Sequence, residues 1–308
     1  MLIPCADIRV TVLRGGPSSE RDVSLASGVA VANACRRLGY QVQEADIQPD
    51  DLTALDMESD VVFPVLHGPF GEDGQLQALL EQRQKRYVGS DSASSRLAMD
   101  KDAAKLVWQQ AGLPTVPWRT FEQQTPLHFD GVRFPVVVKP ACEGSSIGVT
   151  FCKTENELRE VVTRLMSMYG KVVVERQLTG PELTVGILGD EPLPIIQIKS
   201  AVNFYDYAAK YDRDDTQYLL EPEIDTKTYR SVQQIALQAF QSLGCRDYGR
   251  VDLIVDDTLG PQLLEINTIP GFTSHSLLPK AAKHIGIDFD ALVAKLIQMA
   301  LFRSHLSV

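Results

Sequence analysis

The chain is predicted to combine an N-terminal parallel α/β domain with α+β lobes, and three patterns predict it. The first third alternates strand, Gly-rich loop and helix, the signature of a parallel sheet with helices on its faces. The middle third holds the short apolar runs FPVVVKP and KVVVERQL around a single helical segment, as in a small α+β lobe. The last third carries an alternating hairpin, GRVDLIVD and PQLLEIN, joined by the turn DTLG.

In order along the chain, DIRVTVL (7–13) is a strand candidate, followed by the turn RGGPSSE (14–20). Ser18 or Ser19 is placed to cap a helix running to about Leu38. VVFPVL (61–66) reads as a buried strand, HGPFGEDG (67–74) as a second Gly-rich loop, QLQALLEQRQ as a helix and YVG as a short strand. The segment 92–114 gives one or two helices ending at Gly112 and Pro114. A loop, ACEGSSIGV, follows the strand FPVVVKP, and helices are expected at about 154–168 and 226–243. VVVERQLTGPELTV (172–185) reads as strand, turn and strand, and TVGIL and LPIIQIK as further strands. The connection 200–218 is polar and aromatic-rich, and its length suggests a lid.

At ~150 residues per domain, the 308 residues suggest two domains, or three smaller ones. Lys and Arg number 30 against 40 Asp and Glu, a net charge of −10. That balance argues against a nucleic-acid or anionic-membrane partner, which needs a basic surface. No apolar run reaches the length of a membrane span, and the N-terminus lacks signal-peptide character. Five scattered cysteines without CxxC fit a reduced, cytoplasmic setting.

Chemistry is suggested at several places. Strand alternation puts Arg250 and Asp252 on one face of the hairpin, and Glu265 and Asn267 on the facing strand. Such oxygen donors suit Mg²⁺, although a solvated sheet face with ordinary salt pairing has the same pattern. Lys139 ends an apolar strand before a loop whose backbone N–H groups can surround phosphates; a plain strand connection is the alternative. Glu20 and His67 stand in loops at the carboxyl ends of parallel strands, where ligands bind in such folds, or they only support turns. Glu175 and Glu182 flank a strand pair suited to adenine and ribose, or lie on an ordinary hairpin.

Taken together, GGPSSERDVSL, HGPFGEDGQLQ, MDKDAAK, VVVKPACEGSSIGV, FYDYAAKY, GRVDLIV and LLEINTIPGFTSHSL resemble the D-alanine–D-alanine ligases of the ATP-grasp superfamily, in order and over nearly the whole chain. The resemblance implies a three-domain ATP-grasp ligase: an N-terminal domain over 1–95, a central lobe over 96–182, and a C-terminal lobe over 183–308 with the lid 200–218. It implies joining of two D-alanines through an acyl phosphate, with release of ADP and phosphate, for peptidoglycan precursors. Lys101, Lys139 and Lys210 would meet nucleotide phosphates, and the loop 143–148 would close over them. Glu175, Arg176 and Leu178 would line the adenine side, with Glu182 on the ribose. Asp252, Glu265 and Asn267 would hold two Mg²⁺, with Mn²⁺ able to replace them. Glu20 would bind the first D-alanine's amino group, with His67 beside the substrate. Arg250 and the Gly271 backbone would face the tetrahedral intermediate, and Ser276 and Leu277 would take the second carboxylate. Tyr211 would bridge to Ser145 and Glu20. The tyrosine in FYDYAAKY favours an amine acceptor over D-lactate; D-serine and a non-catalytic nucleotide binder are the competing readings. A homodimer follows by family analogy. Cys142 and Phe272 depart from the family's common residues.

Overall fold

The computed structural model describes residues 5–123, 126–199 and 217–303. Three sheets organise the chain. In the first, β1 (Arg9–Gly15) lies between β2 (Gln41–Ile47) and β3 (Val61–Pro64), all parallel. Helix α1 (Arg21–Arg37) crosses from β1 to β2, and α2 (Gln75–Gln82) follows the second Gly-rich loop. Val10, Val12, Val61 and Phe63 feed the core on one side, and Leu13, Val62, Leu66, Leu76 and Leu80 the core on the other. Burial on both faces explains the nearly continuous apolar runs of β1 and β3.

Two sequence expectations are corrected here. Neither Ser18 nor Ser19 caps α1: the helix starts at Arg21, Glu20 holds the cap position without a side-chain bond, and the Ser18 hydroxyl instead accepts from the Glu20 N–H. The YVG segment supplies only an isolated parallel bridge, Tyr87 to Val62. The strand β2 was not anticipated, because QVQEADI is mostly half-exposed and carries no apolar run.

Helices α3 (Ser92–Met99) and α4 (Lys101–Gln110) lead to a four-stranded antiparallel sheet. Its strands run in the order β4 (Trp118–Glu122), β7 (Lys171–Arg176), β5 (Val136–Pro140) and β6 (Thr150–Cys152), with α5 (Glu155–Tyr169) packed on it. The last sheet is antiparallel, with β10 (Gln217–Leu219), β9 (Glu191–Lys199), β8 (Glu182–Leu188), β11 (Tyr248–Asp256) and β12 (Gly260–Asn267) in that order. Helix α6 (Thr226–Ser242) covers it, and Trp108 of α4 is fully buried in the same core, its indole N–H donating to the Ala239 carbonyl. The C-terminal helices α7 (Leu277–His284) and α8 (Phe289–Phe302) fold back, and Leu292, Val293, Leu296 and Ile297 complete the core of the N-terminal sheet. No helix among the described residues is long and apolar enough to cross a membrane.

Candidate active site

Two cavities meet where the three sheets converge. The larger, about 490 Å³, is walled by Glu20, His67, Ser145, Arg250, Gly271 and Ser276, with Leu277 and Asn267 among its other residues. The smaller, about 210 Å³, lies between the two antiparallel sheets and is lined by Lys139, Arg176, Leu178, Glu182, Asp252 and neighbours from the loop at 146–149. Lys101, Glu143 and Glu265 line both. A group passing between the cavities therefore passes these three residues.

The hairpin sets the centre. Arg250 pairs with Asn267 and Asp252 with Glu265 across β11 and β12, and a register shift follows between Asp252 and Leu253. Arg250 grips Asp252 with two bonds, Nε to Oδ1 at 2.9 Å and Nη2 to Oδ2 at 2.8 Å. Thr184 of β8 donates to the same carboxylate at 2.6 Å. Glu265 lies 3.2 Å from the Lys101 ammonium, which also donates to the Glu143 carbonyl at 2.5 Å. The Asn267 side-chain oxygen accepts from Ile269 N–H.

The Gly/Ser loop bends onto the N-terminal domain. Ser145 and Ser146 take left-handed backbone angles (φ 51° and 59°), which non-glycine residues adopt at a cost. This turn brings the Ser145 hydroxyl within 2.5 Å of Glu20 Oε1. His67 is buried, and its Nδ1 lies 2.8 Å from the Ile269 carbonyl. A carbonyl only accepts, so Nδ1 carries the proton; burial holds the ring's pKa below its ordinary value, and Nε2 is left as an acceptor. That Nε2 is buried without a hydrogen-bond partner among the described residues. A Cβ at Gly271 would approach the Ser276 hydroxyl to 3.3 Å, a tight contact.

A family profile described as D-ala D-ala ligase C-terminus matches residues 107–298, and one described as D-ala D-ala ligase N-terminus matches residues 43–90. The D-alanine–D-alanine ligase of Alcanivorax borkumensis is 43% identical over 300 residues, covering 96% of this chain and 95% of that protein. The enzyme of that name from Hydrogenovibrio crunogenus is 41% identical over 296 residues, 95% of each. The chain belongs to the D-alanine–D-alanine ligase family. Among solved structures, a Bacillus anthracis D-alanine–D-alanine ligase complexed with ATP superposes with a TM-score of 0.82 at 30% identity, covering 96% of this chain and 97% of that one. The VanG D-Ala:D-Ser ligase from Enterococcus faecalis gives 0.83 at 28% identity, over 95% and 99%. Ligases named for D-alanine and for D-serine thus share this backbone, and the fold is that of the ATP-grasp ligases.

Of the residues the sequence singled out, all but two lie in the described structure and line one or both cavities. Lys210 and Tyr211, with nearly all of the expected lid, lie outside the described residues. Two others are turned differently from the simplest reading. The Glu175 carboxylate points inward and is almost fully buried, 2.7 Å from Lys139 and 2.9 Å from Lys105. Arg176 reaches out to the hairpin turn, donating to the Thr258 hydroxyl at 3.1 Å.

Sequence reasoning missed two residues here. Lys105, one turn after Lys101, is completely buried and donates to the Thr115 hydroxyl at 2.6 Å. Burial lowers its pKa to about 8, and Glu175 opposes that. The other is Glu72, on the wall of the larger cavity, which accepts from Gly68 N–H at 2.6 Å and from Ile269 N–H at 3.4 Å. Burial and nearby Glu20 push its carboxyl up to about 8, against those two donors and Arg250. Nothing in the pattern of HGPFGEDG distinguishes Glu72 from its neighbour Asp73.

The donor set fits Mg²⁺. Asp252 and Glu265 are cross-strand partners that both line the smaller cavity, and Asn267 follows two residues on along β12; carboxylate and amide oxygens are the donors Mg²⁺ takes.

Proposed function

We propose that this chain joins two D-alanines in an ATP-dependent reaction through an acyl phosphate, the step that supplies the dipeptide for peptidoglycan precursors. One observation carries the reading: the smaller cleft and the larger cavity share Lys101 and Glu265, so a γ-phosphate and a carboxylate can be brought together there. Family membership supports the ligase chemistry, and the relatives' names support the dipeptide.

ATP takes the smaller cleft, its base near Arg176 and Leu178 and its ribose near Glu182, with Glu175 acting from below. Lys139 and Lys101 face the phosphates, and Lys210 joins them from the lid. The buried Glu175 pairs with Lys139 at 2.7 Å, where both side chains are largely shielded from water. Asp252, Glu265 and Asn267 would hold Mg²⁺, which shields phosphate charge when bound.

The first D-alanine places its ammonium between Glu20 and the free Nε2 acceptor of His67. Its carboxylate oxygen attacks the γ-phosphorus, and ADP departs. The second D-alanine sits with its carboxylate at the start of α7, near Ser276 and Leu277, and its amine attacks the acyl carbon. Arg250 and the Gly271 N–H stabilise the oxyanion. Phosphate then leaves with one oxygen taken from the first carboxylate. Ser145, held on Glu20, keeps the phosphate loop closed against the substrate side, and Tyr211 extends that contact when the lid covers the site. Water is kept from an acyl phosphate that hydrolyses readily. Five free thiols and an ATP-consuming reaction fit the cytoplasm, and a homodimer is proposed on family likeness.

The test uses D-alanine labelled with ¹⁸O in its carboxylate, with ATP and Mg²⁺. One labelled oxygen is expected in the released phosphate for each dipeptide formed. Unlabelled phosphate would overturn the acyl-phosphate route.

A further inference from the structure

Tyr218 has no role in the reading above, yet it lines the larger cavity beside Thr273, Ser276 and Leu277. It sits on the edge strand β10, opposite Ile198 of β9, and both its ring and Leu277 pack on Ile198. The Lys280 ammonium stands 4.8 Å from the ring centroid. Lys280 lies one turn beyond Ser276 on α7, its N–H donating to the Ser276 carbonyl at 3.0 Å. The start of α7 has no side-chain cap, because the Ser276 hydroxyl is bonded to Thr273 N–H at 3.0 Å and Thr273 Oγ1 at 3.1 Å. Open N–H groups at a helix start, with a cation one turn along, suit a carboxylate.

We propose that Tyr218 is the side wall of the acceptor subsite and limits the size of the acceptor's side chain, with Lys280 a positioning residue that holds the ring in place. The inference rests on the reading that the second D-alanine docks its carboxylate at Ser276 and Leu277. The ring is rigid, with two torsions. It is fixed from below by Ile198 and from above by a cation attracted to its face. An acceptor anchored at α7 by its carboxylate turns its α-substituent towards the wall that Tyr218 and Leu277 form. A methyl group clears such a wall, whereas a propyl group meets the ring. Replacing the ring by a methyl opens that space without touching the nucleotide cleft, which Tyr218 does not line.

Equal amounts of D-alanine and D-norvaline compete as acceptors with ATP and Mg²⁺, and mass spectrometry gives the ratio of dipeptides ending in each. Tyr218→Ala is expected to shift that ratio towards D-norvaline by about tenfold or more, the scale on which a hydrophobic pocket discriminates methylenes. The D-alanine KM for the acceptor step should rise and the ATP KM should stay put. Lys280→Met, at a half-exposed position, should give a smaller shift of the same sign, and Lys280→Arg should restore the original ratio. An unchanged ratio in Tyr218→Ala and Lys280→Met overturns the inference. So does a loss that falls equally on the ATP and D-alanine KM values with no broadening. Ser276→Ala runs in parallel. If it weakens the acceptor while the Tyr218 and Lys280 variants do not, only this inference fails. If Ser276→Ala also leaves the acceptor unaffected, the docking reading fails and takes this inference with it.

Discussion

At the residue scale the site is built from charges that balance one another inside the protein. Glu265 faces both cavities and pairs with Lys101, whereas Asn267 lines only the larger one. Glu265→Gln should therefore cost turnover about 3 kcal/mol or more, the scale of a lost charge contact to a metal-bound phosphoryl group, and Asn267→Ala clearly less. Steady-state kcat values check this; equal, mild losses would contradict the shared position of Glu265. Glu72 gives a pH prediction. Its carboxyl titrates at about 8 when folded and near 4.5 as an ordinary glutamate, so between these values the folded state holds a proton that the unfolded chain has lost. Stability from this group is full below pH 4.5 and is lost as pH rises through about 8. The melting temperature of Glu72→Gln should fall less steeply from pH 5 to 8.5 than that of the parent chain; parallel curves would show that Glu72 is ionised throughout. Neither Glu72 nor Lys105 was legible in the sequence. One lysine or glutamate among many shows its burial only once helix α4 and the two Gly-rich loops are packed.

At the element scale, period-two alternation carried far. The spacing of GRVDLIVD and LLEIN about the turn DTLG predicted that Asp252 faces residues 264–265, and the pairing is Asp252 with Glu265. The bulge after Asp252 was not legible, since it depends on how β8 and β12 fit on either side of β11. The strands β2 and β4 were missed for a related reason: each is half-covered, and polar residues such as Gln43, Glu44 and Arg119 break the apolar signal. Helix α4 shows how an element aims a candidate functional group. Asp100 caps it, accepting from Asp102 N–H at 3.0 Å and Ala103 N–H at 3.3 Å, and Lys171 fixes the cap at 2.9 Å. Lys101 is the first residue of that helix. Asp100→Ala should lower stability by about 1–2 kcal/mol and raise the ATP KM, because the first turn frays where Lys101 is mounted. Urea unfolding and ATP titration read the two effects; a stability loss with an unchanged ATP KM would detach the cap from nucleotide binding.

At the scale of the whole molecule, the first and third sheets share their cores with elements distant in sequence, whereas the four-stranded sheet packs only on its own segment. Helix α8, last in the chain, fills the core of the first sheet, and Trp108, between the first two sheets in sequence, is buried with the third. Phe272 ties these parts together. Its ring lies 5.7 Å from Phe63, 5.4 Å from Tyr248 and 5.5 Å from Phe289, and its N–H donates to Ser27. The residue beside it, Gly271, is thereby fixed against both the N-terminal domain and the hairpin. Such long-range closure is why the order of motifs identified the family while local patterns left each motif ambiguous. The same backbone is found in ligases named for D-alanine and for D-serine. The purified chain, given ATP, Mg²⁺, D-alanine, D-serine and D-lactate together, should yield D-alanyl-D-alanine as the dominant product by mass spectrometry, with one ADP per dipeptide. ADP formed only alongside D-alanyl-D-serine or D-alanyl-D-lactate, or no ADP at all from the folded protein, would contradict the proposed reaction.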